Sequence, residues 1–171
     1  MKTRQSKPPG RHWPDRPEII AGIDETAGGS WLGVNDFGVV AAILNRSNSL
    51  GPKEGKRSRG ELVLEALDHA DASDAAEAIT SINEKAYRSF NMILADNRDA
   101  FWIKHTETDS IALNSIPEGI SMITADDLND IKSPRIAKYL KRIRKASVPH
   151  PGTNDWDAWQ KVLADQSEHI D

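Results

Sequence analysis

The stretch SWLGVNDFGVVAAIL, residues 30–44, decides the fold class of this protein. Two apolar, partly β-branched runs flank the tetrapeptide NDFG (35–38), whose Asn, Asp and Gly residues tolerate the left-handed backbone conformations that tight turns require. The second run is apolar at every position from 39 to 44, which is typical of a strand covered on both faces. We therefore expect a β-hairpin over residues 28–45.

The chain that follows this hairpin predicts a pair of helices over residues 58–83. Leucines and alanines recur there at helical spacing, and a polar loop (45–59) separates the pair from the hairpin. Ser58 followed by Glu61 predicts a capping box for the first helix, and Ser73 predicts the N-cap of the second.

Beyond residue 90 the pattern changes from helix to strand. Residues 90–124 contain four short apolar runs separated by turn residues, which predict a meander of antiparallel hairpins. The triplet Asn-Arg-Asp at 97–99 lies between the first two runs, so the tip of a hairpin explains it more simply than a catalytic cluster does. Residues 133–166 are again helical, with Pro134 in the first turn, where helices accept proline.

The N-terminal residues 1–18 hold four prolines and five Lys or Arg residues. Proline fixes φ and lacks a backbone donor, so we expect an extended strap here instead of a helix or an interior strand. Strands and helices thus occur in separate blocks without βαβ alternation, and this order predicts a single α+β domain over residues 1–171, with helices layered on antiparallel sheet.

Composition excludes several kinds of protein. The 171 residues include no cysteine, which removes disulfides, thiolate metal sites and thiol nucleophiles. The net charge of −4 gives no global attraction to nucleic acid. No apolar run reaches the ~18 residues of a membrane span, and no signal peptide is recognisable. We expect a cytoplasmic protein.

Motifs for catalysis and metal binding give no candidates. The five histidines show no metal-binding spacing of the HExxH type, and no serine lies in a G-x-S-x-G elbow. The sequence GPKEGKRS (51–58) has one residue too few between its glycines for a phosphate-binding loop. The basic helix at 135–145 could contact nucleic acid or lipid, but a solvated face is favoured because Tyr139 is its sole aromatic residue. We predict no catalytic residue, no metal and no cofactor.

One grouping suggests ligand binding. Trp31 lies in a glycine-rich stretch before the first hairpin strand, Asn45 ends the second, and Arg59 stands where the first helix opens. An arginine near a helix N-terminus, together with an asparagine at a strand end, could bind a carboxylate or a polarised carbonyl. Ordinary loop and cap chemistry is the alternative, and the spacing alone favours it.

The same stretches carry a family resemblance. GGSWLGVNDFGVVAAILNR (28–46), KRSRGELV (56–63) and FNMILADNRDAFWI (90–103), in this order, resemble the NRDE family of transport and Golgi organisation protein 2. The resemblance runs from about residue 11 to residue 136. It implies the four-layer αββα core of N-terminal-nucleophile hydrolases, a cysteine nucleophile directly after the initiator methionine, and an Asn-Arg-Asp-Glu motif soon after it. The α-amino group would then act as the base.

This sequence departs from that pattern at its start. Lys2 follows Met1, there is no cysteine, and the Asn-Arg-Asp at 97–99 is followed by Ala100 and lies in the wrong half of the chain. We therefore expect a family member that begins at an internal methionine, lacks its N-terminal strands and motif, and is inactive as it stands.

Two functions follow from the resemblance. The intact protein would hydrolyse an amide or related acyl bond in an unknown small molecule, with Trp31, Asn45, Arg59 and Arg135 as pocket residues. The alternative is a trafficking or binding protein of the secretory pathway that handles haem or lipid. For haem, His12 or His105 could each supply a single axial ligand.

Overall fold

The computed structural model describes residues 5–165, which fall into two compact units on either side of the boundary between Pro117 and Glu118. The first unit holds seven strands and two helices. The strands are β1 (Ser6–Gly10), β2 (Ile19–Asp24), β3 (Leu32–Asn35), β4 (Val40–Asn45), β5 (Phe90–Ala95), β6 (Ala100–His105) and β7 (Ala112–Ser115). The helices are α1 (Gly60–Leu67) and α2 (Ala72–Thr80), and a short 3-10 turn occupies Glu84–Ala86.

The seven strands form one sheet in sequence order, and every neighbouring pair is antiparallel. The α+β prediction with an antiparallel sheet is therefore confirmed. The helices α1 and α2 lie between β4 and β5 in the chain and pack against one face of the sheet. Gly33 makes this close packing possible, since a Cβ there would lie 2.7 Å from both the Leu67 Cδ1 and the Ala21 Cβ.

The core of the first unit lies between this sheet face and the two helices. Its fully buried members come from both layers, and the largest are Ile19, Leu62, Leu67, Ile79, Tyr87, Phe90, Met92, Leu94 and Ile103. Side chains alternate across a strand, so the neighbours of Gly33 and Ala41 point to the other face. There Leu32 and Val40 are exposed.

The proline-rich opening contains strand β1, where the sequence predicts only a strap. Pro8 and Pro9 lie in this strand, which has β2 as its one neighbour in the sheet and an irregular register between Lys7 and Gly10. An edge strand tolerates proline because the outward side of its backbone needs no ladder partner.

The predicted meander is shorter than expected. Its first three runs form β5, β6 and β7, but residues 118–124 contain no strand. Instead, the Met122 N–H donates to the Asn129 side-chain oxygen, and the Asn129 N–H donates to the Met122 carbonyl. The backbone N–H and carbonyl groups of Met122 are therefore bonded to Asn129 and not to a neighbouring strand.

Two predicted helix caps are wrong. Arg59 is the N-cap of α1 and makes no side-chain cap, while Glu61 is drawn to Arg57 and Tyr87. The N-cap of α2 is Asp71, whose carboxylate accepts from the Asp74 N–H, so Ser73 lies inside the helix. At α2 the Asp71 carboxylate thus makes the cap predicted for Ser73, whereas α1 has no side-chain cap.

The second unit holds α3 (Pro134–Lys145), a 3-10 turn at Pro151–Thr153 and α4 (Asp157–Leu163). Ser133 is the N-cap of α3 and Pro134 occupies its first turn, as predicted. Ile136 and Leu140 are buried, one helical turn apart. None of the helices described within residues 5–165 is long and apolar enough to cross a membrane.

Candidate functional site

A cavity of about 1080 Å³, here called the loop cavity, lies within the first unit. The turn from β2 to β3, the end of β4 and the loop between β4 and α1 surround it. Its lining residues are Asp24, Ala27, Gly29, Ser30, Trp31, Ile43, Leu44, Asn45, Leu50–Lys53, Lys56–Gly60 and Arg88. This volume is at the upper end of those that hold small organic ligands.

One part of the lining is apolar. Its apolar residues, here called the apolar wall, are Trp31 and Leu50, which are 47% and 76% exposed, and Ile43, Leu44 and Pro52. The indole of Trp31 packs against β2 at Gly22, where an added Cβ would lie 2.8 Å from the ring. A large aromatic side chain held open to solvent in this way offers a contact surface for an apolar ligand.

The rest of the lining is strongly cationic. Asp24 is its one acidic member, and its carboxylate accepts from the Thr26 and Ala27 N–H groups. The lining also includes five cationic residues: Lys53, Lys56, Arg57, Arg59 and Arg88. A concave surface lined by one sign of charge concentrates ligands of the opposite sign.

Two arginines shape the loop that covers the cavity. Arg59 donates to the Ser49 carbonyl at 3.0 Å, to the Ser49 hydroxyl at 2.9 Å and to the Ser89 carbonyl at 2.7 Å. Arg88 donates to the carbonyls of Asn48, Leu50 and Gly51. Through these bonds the two arginines hold the backbone of residues 48–51 next to Ser89.

The other side of the loop is fixed by charge pairs. Glu61 contacts Arg57 at 2.6 Å and accepts from the Tyr87 hydroxyl at 2.6 Å. Burial, and then the hydrogen bond to Glu61, raise the pKa of Tyr87 well above its usual range. The Ser89 N–H donates to Glu107 and lowers the pKa of that carboxyl, which Lys53 and Lys56 also approach to 3.8 Å. Glu107 therefore stays ionised and holds both lysines near the loop.

The histidines considered for haem lie away from the loop cavity. The His12 ring is within 2.8 Å of the Pro8 carbonyl, and the His105 ring is buried at 5.4 Å from the Phe90 ring. Neither belongs to the cavity lining, which within residues 5–165 includes no histidine. Nor do the described residues bring together three His, Cys, Asp or Glu side chains that could hold a metal ion.

Comparison with known proteins decides the family. The sequence matches the family described as Transport and Golgi organisation 2 over residues 1–169. The chain belongs to this family. It is 35% identical over 89 residues to the mouse Transport and Golgi organization 2 homolog, an alignment that covers 49% of the chain and 31% of that protein. It is 32% identical over 120 residues to the human Transport and Golgi organization protein 2 homolog, which covers 64% and 42% respectively.

A third relative is similar to the chain over the same length as the mouse homolog. The bovine homolog of the same name is 34% identical over 89 residues, with 49% of the chain and 31% of that protein aligned. The alignments thus span less than half the length of each of these relatives. The resemblance to this family, read from the sequence alone, is confirmed.

Two of the three stretches that carry the family resemblance, 28–46 and 56–63, meet beside the loop cavity. The Ser30 N–H donates to the Gly60 carbonyl at 3.0 Å, and a Cβ on Gly29 would lie 2.5 Å from the carbonyl carbon of Gly60. Glycine at 29 therefore lets the GGSWLG turn contact the start of α1 directly. Residues from both stretches line the loop cavity.

The structure places the four residues singled out by sequence in two different units. Trp31, Asn45 and Arg59 line the loop cavity, and Arg135 lies on α3 in the second unit. Sequence reasoning missed Leu50 and Arg88, which also line the cavity. The basic run of the 51–58 loop was a signal for the cationic lining, but Arg88 is distant in sequence and gave none.

Proposed function

We propose that this chain binds a small anionic ligand with an apolar body, of the lipid class, in the loop cavity. The observation that carries the proposal is the joint presence of an apolar wall around Trp31 and a lining with five cations and one acid. Three of these cations, Lys53, Lys56 and Arg57, are paired with Glu107 or Glu61 beside the lining. An acyl chain would lie along the wall and its headgroup would meet the cations. Burial of a chain contributes roughly 0.8 kcal/mol for each CH₂ group, and the cations supply orientation.

Haem is the other ligand that family resemblance suggests, and the cavity fits it less well. Axial ligation of haem iron needs a side chain such as histidine, methionine or cysteine. The sequence has no cysteine, and the described cavity lining includes neither histidine nor methionine. A porphyrin would have to bind by its propionates and its apolar face alone.

The test is a titration of the purified chain with oleate, followed by tryptophan fluorescence. We expect saturable binding that weakens in Trp31→Ala and Leu50→Ala, by about fivefold or more for each lost apolar contact. Lys53→Gln should weaken binding less. Leu163→Ala and Lys132→Gln are matched controls, since both side chains are exposed in the second unit. No saturation with oleate, or equal losses in the controls, would contradict the proposal.

A parallel titration with haem separates the two ligands. We expect no shift of the Soret band, because no axial ligand lies in the described cavity lining. A Soret shift that His12→Ala or His105→Ala abolishes would favour haem binding instead.

Hydrolysis of an acyl bond is the alternative function that the family resemblance implies, and we do not propose it for this sequence. The cavity lining holds two hydroxyls, those of Ser30 and Ser58. The Ser30 hydroxyl lies 3.1 Å from the Leu32 carbonyl and 3.3 Å from the Leu32 N–H, so it is occupied by its own turn. Neither serine has a histidine base beside it in the lining, and we expect no enzymic turnover of acyl-amide substrates.

The αββα core and a part in transport and Golgi organisation are also proposals for this chain. A second sheet over the face of β3 and β4 that exposes Leu32 and Val40 would complete the αββα core of the N-terminal-nucleophile hydrolases. Ligand binding would be the chain's part in the transport and Golgi organisation that its relatives' names describe. A cytoplasmic location stays a prediction from the sequence.

A further inference from the structure

Helix α3 concentrates positive charge on a chain that is negative as a whole. Its twelve residues contain no Asp or Glu and six cations: Arg135, Lys138, Lys141, Arg142, Arg144 and Lys145. The net charge of the chain is −4, so the residues outside α3 together carry −10. Such an asymmetry orients the molecule in the field of a charged partner.

The cations of α3 are separated from its apolar residues. Ile136 and Leu140 are buried, whereas Arg135, Lys141 and Lys145 are exposed. Lys141 and Lys145 are one helical turn apart, so their side chains lie side by side. None of these three exposed cations is paired with a carboxylate among residues 5–165.

The remaining three cations are held in place by bonds within the second unit. Asp165 pairs with Arg142 and lies 3.8 Å from Lys138, and the Tyr139 ring lies 5.4 Å and 5.2 Å from these two cations. Arg144 donates to the Ile120 carbonyl at 2.8 Å. Among residues 5–165, Asp165 is the carboxylate paired with cations of this helix.

We propose that this cationic face of α3 binds the surface of an anionic lipid bilayer. Clusters of four to eight Lys and Arg residues on one helix are typical of such binding, at roughly one kcal/mol for each cation near the surface. The apolar side of α3 is buried, so the helix contacts headgroups without inserting.

Nucleic acid fits the same face less well. Binding of single strands relies on aromatic rings on which bases stack. The one aromatic residue of α3, Tyr139, has two cations against its ring and is not open to a base.

The experiment is sedimentation of the full chain with vesicles of phosphatidylcholine, with and without phosphatidylserine. We expect binding that requires phosphatidylserine and falls as salt is raised. Each neutralised lysine should lower the partition coefficient about fivefold, so K141Q/K145Q should lower it about 25-fold. The matched control, K7Q/K85Q, removes two exposed lysines from the first unit with the same change in net charge and should bind as the parent does.

Circular dichroism of both double variants establishes that they are folded. No sedimentation with phosphatidylserine vesicles, or an equal loss in K141Q/K145Q and K7Q/K85Q, would overturn the proposal. So would retention of a DNA duplex, with no binding to vesicles, that depends on Lys141 and Lys145. This surface is independent of the loop cavity, and oleate binding should be unchanged in K141Q/K145Q.

Discussion

Asn35 shows how one buried polar side chain can join two elements. Its amide group donates to the Leu67 and His69 carbonyls at 2.8 and 2.7 Å, and its oxygen accepts from the Phe37 and Val39 N–H groups. The four bonds satisfy the end of α1 and the turn between β3 and β4 at the same time. A turn residue was expected here from sequence, but its contact with α1 could not be read from local spacing.

The substitution Asn35→Ala should lower the free energy of unfolding by about 3 kcal/mol. The reason is that buried carbonyl and N–H groups would lose their partners, at roughly 1–3 kcal/mol for each group left unsatisfied. Urea denaturation measures the change. Asn114→Ala on the exposed strand β7 is the control and should cost less than about 0.5 kcal/mol. A loss at Asn35 no larger than in the control would show that these bonds contribute little.

A second prediction for a single residue concerns Asp96 and the dependence of stability on pH. Its carboxylate accepts from the Ala72, Arg98 and Asp99 N–H groups, with Ala72 the largest cause, and these bonds lower its pKa to about 2. Because the folded pKa lies below the unfolded one, the stabilisation is present above pH ~4 and is lost as the pH falls toward 2. Asp96→Asn should therefore flatten the acid side of the stability curve.

Thermal unfolding between pH 2 and pH 6 tests this expectation. Asp99→Asn is the matched control, since Asp99 is an exposed carboxylate at the same hairpin tip. An equal response in the two variants would rule out a special role for Asp96. These bonds also show why the Asn-Arg-Asp triplet lies where it does: the turn is built on the backbone N–H groups of Arg98 and Asp99.

At the scale of elements, the contact between the β2–β3 turn and α1 is the one on which the loop cavity depends. An alanine at 29 would place its Cβ 2.5 Å from a backbone carbon of Gly60, and backbone cannot yield as a flexible side chain can. Gly29→Ala should lower the free energy of unfolding by about 2 kcal/mol, and it should weaken oleate binding by displacing Trp31.

Gly152→Ala is the matched control for this prediction, since nothing lies within 4 Å of the Cβ it would add. It should leave stability within about 0.5 kcal/mol of the parent. Chemical denaturation and the oleate titration, applied to both variants, separate a local clash from a general effect of replacing glycine. Wild-type behaviour of Gly29→Ala would show that the turn can move away from α1 without cost.

Elements differed in how well the sequence predicted them. The strands β3 to β6 follow from apolar runs bounded by turn residues, and the helices α1 and α2 follow from their spacing. Strand β2 was not predicted, because its run IIAGID directly follows the proline-rich opening. The wrong caps have different causes. At α2 the Asp71 carboxylate caps the helix two residues before the predicted position. At α1 Glu61 is engaged by Arg57 and Tyr87, and the helix begins at Gly60 with no side-chain cap.

At the scale of the whole molecule, buried apolar area is distributed unequally between the two units. In β5 four of six residues are buried, whereas α3 buries two of twelve and α4 none of seven. Local stability follows the number of buried apolar contacts, so the second unit should open more readily than the sheet. Sequence periodicity predicts amphipathic helices in both units but not how much of each is covered.

Hydrogen exchange followed by mass spectrometry tests this difference. We expect amides of α4 to exchange first, those of α3 next, and those of β5 and β6 last, since ladder amides between buried strands open only in global unfolding. Anionic vesicles should slow exchange in α3 if its cationic face binds them, and should leave β5 unchanged. Equal protection of α4 and β5 amides would mean that contacts other than buried side chains stabilise the second unit. The unequal distribution of buried apolar area would then not determine the order in which the two units open.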